Sequence, residues 1–120
     1  MIRVLVVDDS VPFLAAATEV IVAADGFELA GIAQSGEEGA ELARISRADL
    51  ALIDLNMPGL DGNETAARVA TESPETVVVV MTAAPDSRRR SEGLFDKRRL
   101  SPAGLAEIWD RVQTPSVRFG

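Results

Sequence analysis

The sequence contains no cysteine and no histidine. Without cysteine there is no disulfide framework and no thiolate metal site. Without histidine the usual general base at neutral pH is missing, and so is the usual zinc ligand. Any metal must then be held by oxygen, which points to Mg²⁺, Mn²⁺ or Ca²⁺. Positive charge is also scarce. Twelve Lys and Arg stand against 19 Asp and Glu, and the formal net charge of −7 argues against nonspecific binding to nucleic acid or to an anionic membrane. No apolar run approaches the length of a membrane span, and a single Arg3 ahead of strand-like residues does not make a signal peptide. A cytoplasmic location is therefore expected. Repeats and low-complexity stretches are lacking as well. What remains is 120 residues of ordinary globular composition, enough for one domain with a core that needs no staples.

The chain is organised around the stretch from Ala51 to Gly62. It begins as a short apolar run of the kind buried on both faces of a sheet, and the carboxylate of Asp54 interrupts it. Pro58-Gly59 and Asp61-Gly62 then supply turn signals. Asp54 is thus expected at the carboxyl end of a buried parallel strand, the edge at which open α/β sheets bind ligands. A carboxylate there serves as a metal ligand, as a nucleophile, or simply as the turn-forming residue that ends the strand.

In chain order, Ile2 to Val7 reads as a first strand that ends in Asp8-Asp9-Ser10. Two adjacent carboxylates repel each other, and a cation is the simplest compensation; alternatively they are solvated loop acids, with Asp9 or Ser10 capping the next helix. A helix is expected over residues 12–24, with Phe13, Leu14, Ala17, Val20, Ile21 and Ala24 at helical spacing. An edge strand follows over 27–33. Ser35 and Glu38 have capping-box spacing and open a helix over 36–46, with Ala40, Leu42, Ala43 and Ile45 as candidate buried residues. Residues 49–53 form a third strand, 63–72 a third helix, and 76–81 a central strand covered on both faces. Gly93 to Asp96 is a short fifth strand, and Ser101-Pro102 opens a last helix over 102–112. Its Trp109 shares the apolar spacing and is expected in the core. Helices that separate successive strands make a parallel βαβ sheet.

The carboxyl ends of these strands collect Asp8, Asp9, Asp54, Thr82 and Lys97. The acids can bind a hard cation through oxygen. Lys97 and Thr82 can hold phosphoryl oxygens, one as a charge and the other as a neutral donor. A carboxylate can accept a phosphoryl group covalently, and such transfer needs positioning and charge neutralisation more than a histidine base.

This set resembles the receiver domain of bacterial two-component response regulators. The resemblance rests on Val6-Val7-Asp8-Asp9-Ser10, on Asp54-Leu55-Asn56-Met57-Pro58-Gly59-Leu60-Asp61-Gly62, on Met81-Thr82-Ala83 and on Phe95-Asp96-Lys97. It implies a doubly wound, flavodoxin-like α/β fold with a five-stranded parallel sheet in the order 2-1-3-4-5. It also implies roles. Asp54 would accept the phosphoryl group. Asp9 would ligate Mg²⁺ directly, Asp8 through water, and Asn56 through its backbone carbonyl; Mn²⁺ would serve in place of Mg²⁺. Thr82 and Lys97 would bind the phosphoryl group, with Ala83 leaving room beside it. The implied function is a phosphorylation-dependent switch in a phosphorelay, not an enzyme beyond self-phosphorylation and autodephosphorylation. The implied partners are a sensor histidine kinase or a phosphotransfer protein and an output of unknown kind. A homodimer is compatible, while direct contact with nucleic acid or membrane is not implied.

The sequence departs from the family pattern in three places, all toward the end. Only 14 residues separate Thr82 from Lys97, so the family's fourth helix is expected to be shortened or absent. Leu94 stands where an aromatic switch residue is usual, and Arg98 where a proline is usual. Pro85 to Glu92, with Arg88-Arg89-Arg90, has no apolar stripe to bury and is expected to be the most mobile internal stretch. Together with Arg98-Arg99 it is either solvated surface charge or a docking patch for an acidic partner. Residues 1–113 are expected to form the receiver and 114–120 a tail or the start of a linker. The chain is then a stand-alone receiver or one cut from a longer regulator. Two other functions fit parts of the pattern: a pseudo-receiver that binds protein constitutively, and a Mg²⁺-dependent phosphatase with an Asp nucleophile. Against the phosphatase, Asn56 stands where a second Asp would be needed.

Overall fold

The apolar runs become five parallel strands: β1 (Ile2–Val7), β2 (Phe27–Ala33), β3 (Leu50–Asp54), β4 (Val77–Thr82) and β5 (Phe95–Asp96). Their order is β2-β1-β3-β4-β5. The computed structural model describes residues 1–83 and 94–113. The expectations for a reduced fourth helix, for mobility at Pro85–Glu92, for the Arg88–Arg90 patch and for a tail over 114–120 fall outside the described residues. Among the described residues there are four α-helices: α1 (Val11–Ala23), α2 (Gly36–Ser46), α3 (Gly62–Glu72) and α4 (Pro102–Val112).

Alternation in the strands divides the core into two layers. Val4 and Val6 of β1, with Leu50 and Leu52 of β3, pack with Leu14, Ala17 and Ile21 of α1 and with Leu105 and Ile108 of α4. Leu5 and Val7, with Ala51 and Ile53, face Ala40 and Ala43 of α2 and Val69 of α3. Each large side chain buried this way contributes about 1.5–3 kcal/mol relative to exposure. Because β1 and β3 are neighbours while β2 and β4 lie on opposite sides of them, the chain reverses direction of winding at the β1/β3 boundary. That opens a crevice at the carboxyl ends of these two strands.

Side chains start each of these four helices. Ser10 Oγ accepts the Phe13 N–H at 3.2 Å, Ser35 Oγ accepts Glu38 N–H at 3.2 Å, and Ser101 Oγ accepts Gly104 N–H at 2.9 Å. Glu38 reaches back to the N–H of Gln34, one residue before the cap. The complete capping box belongs to Asp61 and Glu64, at 2.8 and 3.0 Å. Asp61-Gly62 is therefore a helix start as well as a turn signal.

Several expectations are corrected. Ile45 is 62% exposed, because α2 turns its small residues Gly36, Gly39, Ala40 and Ala43 inward and Ile45 falls on the opposite side. β4 sits inside the sheet, but Val77 to Val80 are only half-buried. β5 pairs with Met81 and Thr82 alone, so the rest of that edge of β4 has no strand beside it among the described residues. β5 is two residues long, not four. Trp109 does pack against the α1/α4 core layer, but it is only half-buried. In the β1–β2 pairing the register shifts between Val4 and Leu5, and Ala30 is passed over.

Candidate functional site

Asp54 is the last residue of β3, and Asp8 and Asp9 follow β1 directly. Adjacent parallel strands that end at the same level bring the three acids together: one carboxylate oxygen from each lies within 4.8 Å of the others. Asp8 is fully buried, Asp54 is 6% exposed, and Asp9 faces solvent. Asp8 Oδ1 accepts the Ser10 N–H at 2.8 Å, which fixes the carboxylate beside the start of α1.

Lys97 reaches this cluster from the other side of the sheet. It follows β5 and opens a single 3₁₀ turn over Lys97–Arg99. Its Nζ lies 2.6 Å from Asp8 Oδ2 and 3.4 Å from Asp54 Oδ1. The longer contact has hydrogen-bond geometry. The shorter is an ion pair without it, so Asp8 Oδ2 is fully buried with no hydrogen bond among the described residues. Nζ also sits 4.2 Å above the centre of the Phe13 ring.

The charges do not balance. Burial pushes the Asp54 carboxyl above its ordinary value; the charge of Asp8 pushes it further, and Lys97 only partly opposes both. Three clustered carboxylate oxygen donors, with Asp8 Oδ2 fully buried and met only by the Lys97 ammonium among the described residues, make a donor set suited to a hard divalent cation.

Thr82 ends β4 and is buried; it pairs in register with Asp96, next to Lys97, so it shares this edge of the sheet. Asn56 lies in the exposed turn two residues after Asp54. The turn is pinned from below. Leu55 N–H donates to Met81 O at 2.8 Å, and Gly62 N–H donates to Leu55 O at 2.9 Å. A Cβ on Gly62 would run into the Asp54 carbonyl and Leu55 Cα, so only glycine lets α3 start this close to the site. Gly59 takes a left-handed φ of +77° in the same turn.

Arg98 does not lie free beside the site. Its backbone N–H and guanidinium both bind Asp96, with Nη2 to Oδ2 at 2.8 Å, and this contact holds the Asp96 carboxyl below the ordinary carboxylate range. Leu94 is half-buried, and Phe95 packs on the α1/α4 layer. Phe13 is the site neighbour that spacing along the chain did not reveal. It reads as an ordinary core position of α1, and 83 residues separate it from Lys97.

Fold and site together define a doubly wound α/β domain with an acidic, lysine-bearing crevice at its switch point. The chain matches the response regulator receiver domain family over residues 4–96. It belongs to that family, whose members act in two-component signalling. It is 37% identical over 116 residues to the response regulator GacA of Pseudomonas viridiflava, which takes in 94% of this chain and 54% of that protein. It is 44% identical over 84 residues to a protein-glutamate methylesterase/protein-glutamine glutaminase of Anaeromyxobacter dehalogenans, which takes in 70% of this chain and 24% of that one. The chain thus spans about half and about a quarter of these two relatives, and the activity in the second name belongs to the longer protein. In fold it is similar to the response regulator domain of Thermotoga maritima CheB, with a TM-score of 0.80 at 23% identity, covering 95% of this chain and 98% of that one. No helix among the described residues is long and apolar enough to cross a membrane.

Proposed function

We propose that Asp54 accepts a phosphoryl group and that the domain, over residues 1–113, is a phosphorylation-dependent switch of a cytoplasmic two-component phosphorelay. The observation that carries this reading is the position of the Lys97 ammonium between the buried carboxylates of Asp8 and Asp54. The donor is a phosphohistidine of a sensor histidine kinase or a phosphotransfer protein. An Asp54 oxygen forms the new P–O bond as the P–N bond to the imidazole breaks, and the departing nitrogen keeps the electron pair and is protonated. Lys97 offsets charge on the phosphoryl oxygens, and the Thr82 hydroxyl donates to one of them. Mg²⁺, or Mn²⁺ with the same oxygen preference, would be held by Asp8, Asp9, Asp54 and the Asn56 carbonyl. When bound it neutralises charge on the acids and on the transferred group.

Acetyl phosphate with Mg²⁺ should add one phosphoryl group by intact mass, and Asp54→Asn should abolish the addition. Stoichiometric labelling of Asp54→Asn would move the acceptor elsewhere. An unlabelled wild-type protein would point instead to a constitutive binding module. For the metal, amide shifts during a Mg²⁺ titration should concentrate at residues 8, 9 and 54, and Asp9→Ala should weaken binding most. Shifts no larger there than elsewhere would refute the site.

A further inference from the structure

We propose that Phe13 is the positioning residue for Lys97: its ring, on the first turn of α1, holds the ammonium at the acid crevice by a cation–π contact. The inference rests on the reading of Asp54 as phosphoacceptor.

Four contacts close a circuit around the crevice. Asp8 Oδ1 accepts the Ser10 N–H, and Ser10 Oγ accepts the Phe13 N–H. The Phe13 ring lies 4.2 Å from Lys97 Nζ, and Nζ returns to Asp8 Oδ2. The residue that caps α1 thus fixes both the carboxylate and the ring that share the ammonium. The Lys97 side chain is only 12% exposed, so water screens this contact little. Phe13 itself is held by packing on the α1/α4 layer.

The ring differs from the other two groups that attract Lys97. Asp8 and Asp54 are both due to change: one would share its charge with a cation, and the other would become an acyl phosphate. Either event weakens or redirects the pull on the ammonium. The ring neither titrates nor binds metal, so its attraction persists through both. It keeps Nζ over the crevice when Asp8 releases it, within reach of the phosphoryl oxygens and away from bulk solvent. A leucine at position 13 would fill the same core space but present no negative π face.

The test compares wild type, Phe13→Leu and Phe13→Tyr by three measurements. These are the NMR shift of the Lys97 ε-methylene, the affinity for beryllofluoride at saturating Mg²⁺, and the affinity for Mg²⁺ alone. In wild type the ε-methylene protons should be shifted upfield by the ring current. Phe13→Leu should lose that shift and bind beryllofluoride about three- to ten-fold more weakly, with Mg²⁺ affinity unchanged. Phe13→Tyr should restore both. The proposal is overturned by a folded Phe13→Leu that binds beryllofluoride like wild type, by failure of Tyr to rescue, or by a parallel fall in Mg²⁺ affinity, which would mean a general distortion of the acid loop. If Phe13→Leu does not fold, an unshifted Lys97 ε-methylene in wild type overturns it alone. Failure of wild type to bind beryllofluoride at all would sink the phosphoacceptor reading, and the ring-current shift would still decide the Phe13–Lys97 contact.

Discussion

At the amino edge of the sheet, polar groups are buried with their bonds made. Ser73 Oγ and Thr76 Oγ1 lie 2.8 Å apart, and Thr76 Oγ1 donates onward to Ala48 O at 2.7 Å. Ser73 therefore supplies the proton between the two hydroxyls, and its 3.4 Å approach to Ala43 O is the secondary contact. Asp49, at the same edge, accepts the Arg3 N–H at 2.8 Å. At the carboxyl edge, Asp8 and Asp54 are just as buried but repel each other, share one ammonium, and leave Asp8 Oδ2 without a hydrogen bond. The first cluster ties α2, β3 and β4 together and has nothing left to offer. The second is held in an unfavourable arrangement by the backbone beneath it, and the imbalance is what a cation or a phosphoryl group can relieve.

The contrast is tested most severely at Gly62. If close backbone packing holds the acids in place, Gly62→Ala should destabilise by about 3 kcal/mol, since the new methyl meets main chain that cannot move aside. Urea unfolding measures this; a change near zero would mean that the carboxyl edge is compliant. Next, Thr76→Val should cost about 2 kcal/mol, because the isosteric change strands Ala48 O and leaves the Ser73 hydroxyl only its 3.4 Å contact to Ala43 O. A cost no greater than that of an exposed threonine would remove the distinction between the edges. The smallest effect should have the opposite sign: Asp54→Asn should stabilise by about 1 kcal/mol near neutral pH. The Asp54 carboxyl titrates above its ordinary value of 3.8, so between that value and its own midpoint the folded chain holds more protons than the unfolded one. Stability then falls as pH rises through this window. The gap between wild type and Asp54→Asn should be absent below the window, open across it and stay constant above. A gap that shrinks as pH rises would reverse the sign assigned to Asp54.

The strands and the acid trio were legible because they leave local marks, an apolar run ended by a polar residue and a turn. Asp8, Asp9, Asp54, Thr82 and Lys97 all fall on one edge for that reason. The order of the strands came only with the resemblance to the receiver family. Glycine-dependent close approaches were not legible. Gly62 and Gly36 look like ordinary helix starts, yet a Cβ on Gly36 would collide with Thr65 and Leu60 across the α2–α3 contact. The same small face misled the reading of Ile45, since hydrophobicity marks apolar residues whereas tight helix packing prefers small ones. Half-burial of β4 depends on how long β5 is, which the apolar pattern of β4 does not encode. The ring of Phe13 under Lys97 requires α1 and β5 to be placed in space first.

The skipped Ala30 has a meaning beyond the pairing of β1 with β2. β2 is an outer strand with no strand beyond it among the described residues, and Ile32 on it is 43% exposed. A long flat border of this kind is a template on which another copy could add a strand and begin an aggregate. The extra residue breaks the even rhythm of the ladder and sharpens the local twist. An incoming strand would find matched donors and acceptors for only part of the length of β2. Such an irregularity is one of the features that disfavour edge-to-edge pairing of strands.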